Sequence, residues 1–155
     1  MTTSVQAAPI AVVSQALGPV QVEPSRALRL LEPLAGFPGC LGYALIPHGR
    51  DAAEPGAIQW LQALDAPYHA FIVTEPWSVF PDYAPELPDA DAERLELAGQ
   101  EDARLLVILT VTGAPATITA NLRAPIVVNA AARTAKQVVL LGDAYHTRHE
   151  VRAGG

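Results

Sequence analysis

Residues Thr117–Asn129 run TITANLRAPIVVN. Thr, Ile and Val favour a half-buried pleated surface, whereas Asn121 and Pro125 are residues that strands tend to exclude. The stretch is therefore either a strained active-site segment or a strand that ends, bulges and restarts. The second reading predicts a strand over Thr117–Leu122, with Asn121 tying neighbouring backbone groups through its side-chain amide. Ala124 and Pro125 then mark a bulge or edge crossing before Ile126–Asn129 resumes.

Outward from this stretch the chain keeps the same punctuation. Fourteen prolines and eleven glycines are scattered through 155 residues and cut the sequence into short apolar pieces. Further strands are expected at Ile10–Gln15, Val20–Glu23, Leu28–Leu31, Tyr43–Ile46, Ile58–Leu64, His69–Thr74, Arg104–Thr112 and Gln137–Leu141. Turn chemistry separates them at Gly36-Phe-Pro-Gly39, Asp65-Ala-Pro67 and Gly113-Ala-Pro115. Asp89–Leu97 departs from the pattern: helix formers with an acidic first turn follow Pro88 and predict a helix of about two turns. Many short strands with one small helix point to an all-β chain, a small antiparallel barrel or closed sandwich that leaves no sheet edge exposed.

The length suits one domain with a single core, expected over residues 10–150, with flexible ends at 1–9 and 152–155. Half of the residues are hydrophobic and 17% are charged, which excludes wholesale disorder. The longest plain apolar run, Leu105–Leu109, is far short of the roughly 20 residues of a membrane-spanning helix. No Lys or Arg precedes Arg26, so the basic start of a secretory signal is missing and a cytoplasmic location is expected. The single cysteine, Cys40, excludes an internal disulfide framework and reads as a small buried residue. No heptad stretch is present, and a monomer is expected.

Charge is placed unevenly. Between Glu75 and Arg104 stand Glu75, Asp82, Glu86, Asp89, Asp91, Glu93, Glu96, Glu101 and Asp102 against only Arg94 and Arg104. Such a field repels phosphate backbones, so direct nucleic-acid binding is disfavoured; it either solubilises a loop and helix or attracts a basic protein partner. Inside it, Pro76-Trp-Ser-Val-Phe-Pro-Asp-Tyr83 packs three of the nine aromatic residues between prolines. A rigid aromatic loop serves equally as a contact surface or as the plug of a barrel mouth.

Catalytic motifs are missing: no phosphate-binding glycine loop, no Gly-x-Ser-x-Gly elbow and no His-Glu-x-x-His helix. Asp65, Asp82 and Asp102 are isolated acids, Asp65 in a turn context. His146 and His149, three apart with Asp143 and Glu150 nearby, form the one arrangement that could hold a metal in a small β-barrel enzyme. Against that reading, Arg148 opposes a cation, and a polar closing segment explains the same residues.

Six segments in register resemble the flagellar assembly factor FliW family: Trp60-Leu-Gln-Ala-Leu-Asp-Ala-Pro67, Ala70-Phe-Ile-Val-Thr-Glu-Pro76, Phe80-Pro-Asp-Tyr83, Thr119–Asn129, Gln137-Val-Val-Leu140 and Tyr145-His-Thr-Arg-His149. The chain differs from that pattern at Leu31–Phe37, at Thr112 and at Ala135. The resemblance implies a cytoplasmic barrel-like β protein without catalytic activity or cofactor. It implies two protein partners in exchange, flagellin and the RNA-binding translational regulator CsrA. Glu75, Trp77, Phe80, Asp82, Tyr83, Glu86, Asn121 and Arg123 are the candidate partner-binding residues.

Overall fold

The apolar run after Arg104 is buried on both faces, which explains why it lacks the alternation of a one-sided strand. In the computed structural model, which describes residues 9–34, 36–47, 58–99 and 102–151, it forms a ten-residue strand. The elements are β1 (Ile10–Ser14), β2 (Gly18–Val22), β3 (Ala27–Leu30), β4 (Gly42–Pro47), β5 (Gln59–Ala63), β6 (Ala70–Thr74), α1 (Asp89–Arg94), β7 (Ala103–Thr112), β8 (Thr117–Ala120), β9 (Ile126–Asn129), β10 (Thr134–Gln137) and β11 (His149–Val151). The expected flexible ends, apart from residue 9, lie outside the described residues.

Strands β3-β4-β5-β6-β7-β9-β10 pair in that order, and β10 returns to β3, closing a seven-stranded barrel. The fold is the expected all-β barrel with one short helix. Its strands are not all antiparallel, because the closing pair β3/β10 is parallel. Strands β1 and β2 form a separate hairpin whose Val12 and Val22 pack on Ala44 of β4.

Side chains alternate between two cores. Tyr43, Leu61, Val73, Leu106, Ile126 and Val128 fill the barrel. Leu105, Val107, Leu109 and Val127 face outward and are covered by Tyr83, Leu95, Leu122, Val138 and Leu140. Burying each such aliphatic side chain contributes about 1.5–3 kcal/mol, so the outer cover is a second core and not a decoration.

The segment Thr117–Asn129 lies along one edge of β7. Leu109 pairs with Ala120 and Leu106 with Ile126, so Asn121 to Pro125 stand opposite only Val107 and Ile108. The strand ends, swells by three residues and restarts. The swelling is tightly bonded: the Asn121 amide N donates to Ile108 O at 3.0 Å, and Asn121 Oδ1 accepts from Ala124 N at 3.0 Å. Leu122 and Arg123 both donate to His146 O at 3.1 Å. Asn121 is thus the clasp of a wide bulge. Asn121→Leu is expected to cost about 1–2 kcal/mol, or roughly 2–8 °C in melting temperature; unchanged melting in a thermal scan would mean that the side chain does not hold the bulge.

Three expectations need correction. The last barrel strand is Thr134–Gln137 rather than Gln137–Leu141. Residues Val138 to Leu140 remain extended but bond to the bulge, Val138 N to Pro125 O at 2.9 Å and Leu140 N to Arg123 O at 2.8 Å. The helix is shorter than Asp89–Leu97, because Glu96 takes a left-handed φ of 56° and stops it. Strand β11, read from sequence as part of a polar closing segment, pairs with β8.

Candidate functional site

The chain leaves the barrel after Thr74 through a single 3-10 turn, Pro76–Ser78, where Pro at the first position needs no donor. Ser78 Oγ donates to Glu75 O at 2.7 Å. The indole Nε1–H of Trp77 donates to Tyr83 O at 2.8 Å and fastens the loop on itself, leaving the ring 44% exposed. Tyr83 turns the other way. It is 4% exposed, its hydroxyl donates to Leu122 O at 2.6 Å, and its ring meets Tyr145 edge-on at 4.6 Å. Tyr145 in turn accepts from Ala84 N at 2.8 Å. The loop is therefore riveted to the bulge.

Helix α1 follows, and its position is set by four contacts. Leu95 is 1% exposed in the outer core, and its carbonyl accepts from Asn129 Nδ2 at 2.8 Å. Lys136 Nζ lies 2.5 Å from Asp91 Oδ1 and 3.8 Å from Glu32 Oε2, while Arg94 bonds Glu32. That network neutralises Asp91 and Arg94, so the exposed acids of the region are Asp82, Glu86, Asp89, Glu93, Glu96 and Asp102. Glu101 lies outside the described residues.

Between loop, helix and the start of β7 opens a groove of about 660 Å³. Trp77, Pro85, Leu87, Leu97 and Leu105 supply its apolar lining, and Glu86 and Asp89 add carboxylates. Among the described residues no basic side chain lines it. An apolar trough with acidic flanks suits a polypeptide that offers an apolar face and positive charge.

Of the residues named from sequence, Trp77, Tyr83 and Glu86 line this groove, Tyr83 as a buried wall. Phe80 is half-buried against the outer core and meets His149 at 6.0 Å. Glu75 is half-buried before the 3-10 turn, and Asp82 is exposed. Asn121 and Arg123 sit in the bulge, joined to the loop through Leu122. Sequence reasoning missed Leu87, Leu97, Leu105 and Tyr145. Only the short helix after Pro88 hinted at a second wall.

The His149 imidazole is not a free ligand. His146 N donates to His149 Nε2 at 2.8 Å, and the rings stack at 5.2 Å. Burial and the neighbouring His146 push the His149 pKa below the ordinary value. Among the described residues no three His, Cys, Asp or Glu side chains converge as a metal site.

The family model described as FliW protein matches residues 11–151. The chain belongs to the FliW family. It is 37% identical over 134 residues to the flagellar assembly factor FliW of Syntrophus aciditrophicus, covering 86% of this chain and 82% of that one. To the FliW of Geobacillus kaustophilus it is 36% identical over 134 residues, 86% and 90% of the two chains. A crystal structure of the flagellar assembly factor FliW superposes with a TM-score of 0.78 at 32% identity, over 90% of this chain and 95% of that chain. Loop, bulge and β11 all fall inside the stretch matched by the FliW model. No helix among the described residues is long and apolar enough to cross a membrane.

Proposed function

We propose that the chain is a cytoplasmic flagellar assembly factor that binds flagellin as a chaperone and, when free of it, binds and antagonises CsrA. It works by occupancy and not by catalysis, so that export of flagellin releases it to relieve repression by the regulator. The observation that carries this reading is the family match over residues 11–151, whose relatives are named flagellar assembly factors. The groove supports it. A chaperone needs apolar surface that its client covers, and Trp77, Leu87 and Leu97 offer it. A regulator that grips RNA presents basic surface, and the exposed acids beside the groove would speed its approach.

The test is binding of purified protein to flagellin and to CsrA, separately and in competition, across ionic strength. Both complexes are expected, with flagellin displacing CsrA and with CsrA binding weakening as salt rises. Trp77→Ala should lower affinity for the groove partner on the order of tenfold or more, with a smaller melting loss than Tyr83→Ala, because the side chain is only partly buried and the hydrogen bond lost is the one to Tyr83 O. Glu86→Lys should slow association with CsrA and flatten its salt dependence. Absence of both complexes at micromolar concentration would reject the proposed role.

A further inference from the structure

Strand β6 carries the aromatic loop after its last residue and His69 before its first, so His69 stands at the other end of the barrel. There Phe37 and Cys40, which follow β3 and precede β4, pack on the barrel core. The ring of Phe37 lies face to face on the His69 imidazole at 3.9 Å, and Phe71 and Tyr43 meet it edge-on at 5.3 and 5.5 Å. His69 is 7% exposed. Its Nε2 lies 2.7 Å from the Tyr43 hydroxyl, and its Nδ1 is buried with no hydrogen-bond partner among the described residues.

A neutral imidazole tolerates this enclosure in the tautomer whose Nε2–H donates to the Tyr43 hydroxyl oxygen, since Nδ1 then carries only an unshared lone pair and no proton. A protonated ring cannot: both nitrogens then donate, and Nδ1–H becomes a buried charged donor with no acceptor. We propose that His69 is an acid-operated latch, whose protonation forces the segment bearing Phe37 and Cys40 off the barrel core so that water reaches Nδ1.

The titratable groups around it do not offset the charge. That segment contributes the Cys40 thiol, β4 the Tyr43 hydroxyl, and β6 the uncharged ring of Phe71. Asp65, in the turn after β5, acts on Tyr43. Burial alone holds the His69 pKa below the ordinary 6.5. The open form therefore takes up the proton first as pH falls through the usual histidine range, and the closed form loses ground from about pH 6.5 downward until closed-state His69 also titrates.

Cys40 reports the movement, being the single cysteine and 2% exposed in the same segment. Its rate of disulfide exchange with dithiodipyridine is measured from pH 8 to pH 5 and divided by the rate in the urea-unfolded chain, which removes the thiol's own titration. Circular dichroism at each pH separates latch opening from global unfolding. Protection of Cys40 is expected to fall on the order of tenfold between pH 7 and pH 5 while the barrel stays folded. In His69→Phe, which keeps the stacked ring and cannot titrate, protection should be flat with pH; His69→Gln gives the same readout should the Phe variant fail to fold. A flat profile in the parent protein, an unchanged slope in the foldable variant, or loss of protection only with global unfolding would overturn the latch.

Discussion

Tyr83→Ala is expected to lower the melting temperature by roughly 10 °C or more, the largest effect of any single loop substitution. The ring is buried in the outer core against Tyr145, and its removal leaves a cavity worth about 3–5 kcal/mol. Two bonds weaken with it: the hydroxyl's bond to Leu122 O, and the alignment of Tyr83 O under the Trp77 indole. Tyr83→Phe separates the contributions. It keeps the ring and orphans a buried carbonyl in the bulge, which costs about 1–3 kcal/mol. The alanine variant should therefore melt well below the phenylalanine variant in thermal scans, and both should loosen the environment of Trp77 in near-ultraviolet dichroism. Equal melting of the two would mean that the hydroxyl, and not the packed ring, holds the loop. Burial also pushes the Tyr83 phenol above its ordinary 10.0. Its contribution is complete below pH 10 and is lost as pH rises through and beyond that point, because the unfolded chain gives up the proton first.

Tyr83 also marks where sequence stops being informative. Pro76 to Tyr83 is recognisably a rigid aromatic loop, yet contact surface and plug of a barrel mouth are equally good readings of it from sequence; in the structure Trp77 stays partly exposed, while Tyr83 is sealed in the outer core and not in the mouth. The deciding partner, Leu122 O, is 39 residues away and belongs to a backbone atom with no sequence signature. The bulge itself was legible, because Asn121 and Pro125 each break a strand for a local reason. So was the acidic start of α1, although its stop at Glu96 needs a left-handed backbone that Glu does not advertise. Strand β10 was placed too late because Thr-Ala-Lys-Gln has little β propensity, whereas Val138 to Leu141 has much. Closure of the barrel overrides that preference, since Ala135 must meet Leu30 on β3 and Val128 on β9. Strand β11 exists because β8 leaves an open edge, a tertiary cause that three residues cannot encode. The groove shares this origin: Leu87, Leu97 and Leu105 look like ordinary core residues until helix and loop are brought face to face.

Lys136→Met tests what keeps that helix in place. The Lys136 side chain is 11% exposed and that of Asp91 18%, so the pair at 2.5 Å is largely out of water, and removing the cation strands a carboxylate that nothing else neutralises as closely. A loss of about 2–4 kcal/mol is expected, because the cost is that of an unpaired buried charge and not merely of a lost attraction. Adding Asp91→Asn to the variant should return part of it, and the size of that rescue measures the coupling. Glu32 provides an independent check. The Arg94 hydrogen bond and then Lys136 hold its pKa below 4.5, so its stabilising contribution is present above that pH and fades as the medium becomes more acidic. Without Lys136 that acid limb should be shallower. Since Asp89 and Ala92 of α1 line the groove, amide exchange in residues 89–95 should quicken in the variant and groove binding should weaken in step. Unchanged exchange with weakened binding would place Lys136 in the partner's path and relieve the helix of its assigned anchor.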